Sequence, residues 1–190
     1  TDVLRPLCAD ISASQFLEPD GMFPNHVPNP ENAEAMDSIC SAVVRSGADL
    51  GIIFDTDVDR SAIVDRQGSP INRNSLIALI SDIILREHPG STIVTDSITS
   101  VGLAEFIAVR GGIHHRFKRG YKNVINESKR LNSVGQESWI AIETSGHCAL
   151  RENHYLDDVA FLVAKLLLEA AKLARQGSEL GSLIADLRQP

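Results

Sequence analysis

Residues 50–65 read Leu-Gly-Ile-Ile-Phe-Asp-Thr-Asp-Val-Asp-Arg-Ser-Ala-Ile-Val-Asp. Two apolar runs, Leu50 to Phe54 and Ser61 to Asp65, flank a segment carrying Asp55, Asp57, Asp59 and Arg60. Short apolar runs bounded by polar residues read as buried strands. A strand that feeds directly into such a segment gathers three carboxylates, which repel one another unless a cation joins them. Ligands that are all oxygen select a hard ion such as Mg²⁺ over zinc or copper. Arg60 suits an anion, and phosphate is the usual companion of a metal–arginine pair. The run predicts a divalent-metal loop for phosphate chemistry, with Asp55, Asp57 and Asp59 as ligands.

Other readings of the same run differ in what they require. A solvated acidic turn needs no flanking strands, whereas here one strand leads in and another leads out. A calcium EF-hand loop needs Gly at position six and Glu at position twelve. This chain has Arg60 and Arg66 there, which excludes it. An aspartyl-nucleophile phosphatase also places D-x-D after an apolar strand, with Asp55 as nucleophile and Asp57 as acid/base. That rival stays open at this point.

Composition narrows the partners. Lys and Arg total 18 against 25 Asp and Glu, a net charge of −7, which argues against nucleic acid or an anionic membrane as the main partner. No apolar run reaches the length of a membrane span. Cys8, Cys40 and Cys148 are widely spaced and form no C-x-x-C, so they read as reduced core thiols in a reducing compartment. With 190 residues the chain has room for one large domain or two smaller ones. It opens at Thr1 without methionine, which leads us to expect a fragment and leaves any targeting segment outside view.

Residues 1 to about 30 are rich in proline and turn residues. Asn29 and Pro30 then suggest the cap and first residue of a helix running to Arg45, with Ala33, Met36, Ile39, Cys40, Val43 and Val44 as its apolar stripe. After the two strands, Asn72 or Asn74 should cap a buried helix over 74–87. Glu87-His88-Pro89-Gly90 is the strongest internal stop, and beyond it strands and helices alternate. Strands are expected at 92–95, 113–117, 139–143 and near 148–151, and helices near 100–110, 121–132 and 156–175. Such alternation implies βαβ units. We therefore expect an α/β protein of two consecutive domains, each a mixed sheet covered by helices. Residues 1–89 form the first, 90–176 the second, and 177–190 a connector.

Two further polar clusters follow apolar strands. Lys118-Arg119-Gly120 precedes a helix, where Gly120 permits close backbone approach and the helix N-terminus favours anions. Glu143-Thr144-Ser145-Gly146-His147 follows Trp139 to Ile142. Glu143 and Ser145 are two apart, share one side of an extended segment and can reach adjacent sugar hydroxyls. His147 is a proton carrier or substrate contact. Carboxyl ends of strands gather on one rim of an open α/β sheet, which favours reading these clusters together.

Together these motifs resemble the α-D-phosphohexomutases, the phosphoglucomutase/phosphomannomutase superfamily. Asp55, Asp57, Asp59 and Arg60 match its metal loop; Glu143, Ser145, Gly146 and His147 match its sugar-binding loop. Lys118 and Gly120 match the turn that helps set specificity, and the stretch from Pro19 to Glu31 resembles the segment ahead of the metal loop. The resemblance implies the second and third of four domains, with the phosphoserine domain and a fourth, phosphate-binding domain outside this chain. On that basis Leu4 to Asp10 is expected as a helix tail and a strand. It further implies interconversion of hexose 1- and 6-phosphates with Mg²⁺, with Arg60, Lys118 and His147 as catalytic groups. Glu143, Ser145, Lys118, Arg119 and Gly120 would bind substrate, in the cytoplasm or an organellar stroma. A non-catalytic module derived from the same fold is the remaining alternative. There are departures: Thr56 and Val58 stand where many relatives have glycine, so positive φ is not expected there. Ile142 precedes the glutamate where glycine is common, and Tyr121 takes the place of a smaller or imidazole side chain.

Overall fold

The computed structural model describes residues 4–188. A single 3₁₀ turn, Arg5–Leu7, occupies the start, in place of the expected helix tail and strand. Helix α1, Ala33–Ser46, begins one turn later than Pro30 suggests, because Asn32 is its cap: Asn32 Oδ1 accepts the Ala35 N–H at 3.0 Å. Asn29 instead accepts the Glu31 N–H at 2.9 Å and closes the preceding turn. Strands β1 (Leu50–Phe54) and β2 (Ser61–Asp65) pair antiparallel, with Phe54 opposite Ser61, and β3 (Pro70–Ile71) extends the sheet. This first sheet is antiparallel throughout its described strands, where a mixed sheet was expected. The six-residue link from Asp55 to Arg60 is a hairpin loop, and a hairpin forces its two strands to run in opposite senses.

The two faces of that sheet have different neighbours. Ile53, Ala62 and Val64 pack against Ala35, Met36 and Val43 of α1. Leu50, Ile52, Phe54, Ile63 and Ile71 turn the other way, towards α2 (Asn74–Glu87). Every residue of α2 from Ser75 to Leu85 is buried, as befits a helix covered on all sides. Its far side meets the second sheet, of order β5-β4-β6-β7, comprising Ile113–Arg116, Thr92–Thr95, Ser138–Ile142 and Cys148–Leu150. There β4 runs parallel to β5 and β6, while β7 returns antiparallel. Helices α3 (Val101–Val109) and α5 (Val159–Ala174) join α2 on one face, and α4 (Tyr121–Ser133) covers the other through Val124, Ile125 and Leu131. One core thus runs from the first sheet through α2 into the second.

The tail is docked. Leu180, Leu183, Ile184 and Leu187 pack on the large core. Arg110 on the end of α3 donates to Asp82 Oδ1 at 2.6 Å, to both oxygens of Asp186 and to the Leu183 carbonyl. Of the three free cysteines only Cys148 is a core thiol; Cys40 is half-buried and Cys8 is exposed. No helix among the described residues is long and apolar enough to cross a membrane.

His114 on the edge strand β5 carries a pH signature. Its Nε2 lies 2.7 Å from Thr95 Oγ1, and burial, helped by the charges of Arg116 and His115, lowers its pKa to about 4. Between that value and the ordinary histidine range the unfolded chain binds a proton that the folded chain refuses, so stability falls as pH falls through this window. At about 1.4 kcal/mol per unit, discounted for partial exposure, the loss is about 2 kcal/mol. In His114→Gln, the drop in melting temperature from pH 7.5 to 4.5 should be smaller by about 5 °C; equal drops in both proteins would refute the assignment.

Candidate functional site

The tip of the β1–β2 hairpin is organised around Asp55, whose side chain has no solvent exposure. Its Oδ1 accepts the backbone N–H groups of Asp59 and Arg60, both at 3.2 Å, and its Oδ2 accepts Arg60 Nε–H at 2.7 Å. Burial opposes its ionisation, but these hydrogen bonds and the guanidinium outweigh it and hold the carboxyl below the usual range. Asp59 goes the other way: burial and the neighbouring Asp55 and Asp57 carboxylates raise it, against the charge of His147. Asp59 Oδ1 is shielded from solvent and 3.5 Å from Arg60 Nε, yet takes no hydrogen bond. Val58 adopts φ +63°. Positive φ was not expected at a β-branched residue, and it costs about 1–2 kcal/mol. The curl it permits turns the chain so that Asp55, Asp57 and Asp59 each offer an oxygen within 4.8 Å of the others.

The donor set fits a hard divalent cation. All three potential donors are carboxylates, and Asp59 Oδ1 is an orphaned acceptor. Arg60 is committed through Nε to Asp55, so its terminal nitrogens are the ones left for an anion. Asp55 Oδ1 takes two backbone amides whereas Oδ2 takes the Arg60 Nε–H alone, so a lone pair of Oδ2 remains for a cation.

Two loops from the rim of the second sheet meet this hairpin. Beyond β6, the Glu143–His147 loop bends back so that Glu143 N–H bonds to the His147 carbonyl at 2.9 Å. Gly146 at its apex adopts φ +101° and lies flat against β2; a Cβ there would stand 2.6 Å from the Ser61 carbonyl oxygen. The contact brings His147 Nδ1 to 3.6 Å from Asp59 Oδ2. Beyond β5, Gly120 at φ +118° donates its N–H to Glu143 Oε1 at 2.6 Å. Glu143 is therefore turned inward, with Oε2 alone facing Ser145 Oγ at 3.5 Å. Burial raises the Glu143 pKa, opposed by the Gly120 amide. Lys118 and Arg119 are exposed at the mouth of the same turn. Of the expected site residues, Asp55, Asp57, Asp59, Arg60, Gly120, Glu143, Ser145 and His147 are linked by these contacts, while Lys118 and Arg119 sit at the margin.

Two carboxylates escaped the sequence reading. Asp157, just ahead of α5, accepts from His147 Nδ1 at 2.9 Å. Burial disfavours protonation of His147, but the bond to Asp157 and the charges of Asp157, Asp59 and Glu143 outweigh it and raise the pKa. In sequence, Asp157-Asp158 reads as a helix start, and Asp158 is indeed the cap, which conceals its neighbour. Asp96 follows β4 as Glu143 follows β6; fully buried, it accepts Thr144 Oγ–H at 2.7 Å and steadies the loop. The strand-end signal applied to Glu143 would have found it.

The chain is similar to proteins of one family along nearly its whole length. The family described as phosphoglucomutase/phosphomannomutase, alpha/beta/alpha domain II, matches residues 3–68, and its domain III matches residues 72–190. A phosphomannomutase/phosphoglucomutase of Pseudomonas putida is 32% identical over 164 residues, 86% of this chain and 34% of that protein. A protein of Xanthomonas campestris named phosphohexose mutases is 32% identical over 96% of this chain and 39% of its own. A crystal structure of a phosphoglucomutase/phosphomannomutase family protein from Burkholderia thailandensis superposes with a TM-score of 0.77 at 28% identity, over 90% of this chain and 35% of that one. The chain thus spans about a third of the length of the curated relatives it matches. With both domain matches consecutive along its length and the two loops in contact, the chain belongs to the phosphoglucomutase/phosphomannomutase family.

Proposed function

We propose that these residues supply the metal loop and the sugar-gripping loop of a phosphohexomutase that interconverts hexose 1- and 6-phosphates. The phosphoserine that donates and receives phosphate would lie elsewhere in the polypeptide. The convergence of the Asp55–Arg60 hairpin and the Glu143–His147 loop, with His147 Nδ1 3.6 Å from Asp59, carries this reading. Asp55, Asp57 and Asp59 would hold Mg²⁺, which polarises phosphoryl oxygens when bound. Arg60 would face the transferred phosphoryl group with its terminal nitrogens, while Asp55 holds Nε. Glu143 Oε2 and Ser145 Oγ would take two sugar hydroxyls, because Oε1 is committed to Gly120. His147 would move a proton at Nε2, with Asp157 fixing Nδ1. Lys118 and Arg119, beside the N-terminus of α4, would meet the substrate's other phosphate.

We divide the chain near residue 72, since α2 shares its core with the second sheet, and read residues 177–190 as leading towards a further domain. Phe16 and Phe23 are exposed and line a groove of about 250 Å³ that reaches Asp55 and Thr56, and Leu17, Met22 and Val27 of the same segment are exposed as well. Such a surface suits covering by the remaining domains. The unpaired thiols suit a reducing compartment, cytoplasm or organellar stroma. The test is a coupled mutase assay with glucose 1-phosphate and mannose 1-phosphate. The full-length polypeptide should turn over at least one of them, and residues 1–190 alone should stay near background. Turnover by the 190 residues alone, or by neither protein, would overturn the proposal.

A further inference from the structure

Asp157 holds one nitrogen of His147 but leaves the imidazole free to pivot about that hydrogen bond. Tyr121 removes this freedom. Its ring is stacked on the imidazole with centroids 5.0 Å apart and planes inclined by 14°. An offset stack of this kind has a preferred plane, which a single hydrogen bond lacks. The tyrosine is itself braced. It is the first residue of α4, directly after Gly120, whose N–H is anchored on Glu143 at 2.6 Å. It also packs against the cluster of Val94, Val124, Ile125, Leu131, Ala141 and Ala149. No hydrogen bond to its hydroxyl occurs among the described residues, so the flat ring is what the contact uses.

We propose that Tyr121 is a positioning residue for His147: its ring fixes the imidazole plane, and with it the direction in which Nε2 faces the substrate. The proposal rests on the mutase reading given above. It assigns a position where this chain departs from the usual smaller or imidazole side chain.

Two measurements test it. In the full-length polypeptide, Tyr121→Leu should lower kcat about 10- to 100-fold with KM for the hexose phosphate unchanged, while Tyr121→Phe stays within about twofold of wild type. In residues 1–190, the His147 ring resonances should be single and sharp for wild type and Tyr121→Phe, and broadened in Tyr121→Leu. Tyr121→Met, which cannot stack flat, repeats the comparison should the Leu variant fail to fold. Unchanged ring resonances in a folded Leu or Met variant would overturn the proposal. So would a rise in KM at constant kcat, which marks a direct sugar contact. If wild type lacks mutase activity, it is the functional reading that fails, and the resonance arm still decides the role of Tyr121.

Discussion

Gly146→Ala should lower the stability of this chain by about 2–4 kcal/mol. Two causes combine. The backbone stands at φ +101°, which side-chain-bearing residues rarely adopt, and the new Cβ would lie 2.6 Å from the carbonyl oxygen and 3.0 Å from the nitrogen of Ser61. Both obstructing atoms are backbone at the first residue of β2, which is paired with Phe54, so neither can swing aside as a side chain could. The comparison is Gly135→Ala, at φ +83° with nothing within 4 Å of its Cβ. That variant bears the conformational cost alone, about 1 kcal/mol. Urea unfolding of the two variants separates conformation from contact, and equal losses would refute the interlock. The contact also has a functional side. Forced off Ser61, the loop would carry His147 away from Asp59, so Gly146→Ala should open the site as well as weaken the fold.

Asp55→Asn should abolish measurable Mn²⁺ or Mg²⁺ binding and also cost about 2–3 kcal/mol of stability. An asparagine has the shape of the aspartate but one acceptor fewer, and its amide would set a donor against Arg60 Nε–H or against the Asp59 and Arg60 amides. Asp57→Asn is the contrasting case. Asp57 is exposed and accepts none of the loop's hydrogen bonds, so its variant should lose metal with little change in unfolding midpoint. Calorimetric titration with Mn²⁺, alongside urea unfolding, reads both quantities. If the two variants cost the same stability, Asp55 is not the organiser of the hairpin.

Much of the architecture was legible because local signals agree with it. The strands at 50–54, 61–65 and 92–95 and the helix at 74–87 lie where apolar runs and stop signals put them. The failures have physical causes. Asn29 and Asn32 are equally good caps, and only the path of the preceding turn chose Asn32. Val58 was expected to avoid positive φ on intrinsic preference, but closing a six-residue hairpin that also directs Asp55 inward requires it. The stop at Pro89-Gly90 is a real end of α2, yet chain breaks report local geometry and carry no information about which sheet a helix packs against.

The chemistry of the site was written in residue types and spacing: oxygen donors at alternate positions, an arginine beside them, a carboxylate and a hydroxyl two apart. Those follow from covalent structure and strand periodicity, which act over a few residues. The partners of His147 did not. Asp157 lies 10 residues downstream of it, Asp59 lies in the hairpin of the other sheet, and Tyr121 begins the helix between β5 and β6. Burial of α2 between two sheets, and the approach of Gly146 to Ser61, brought those residues together, because packing acts on distances that sequence spacing does not encode.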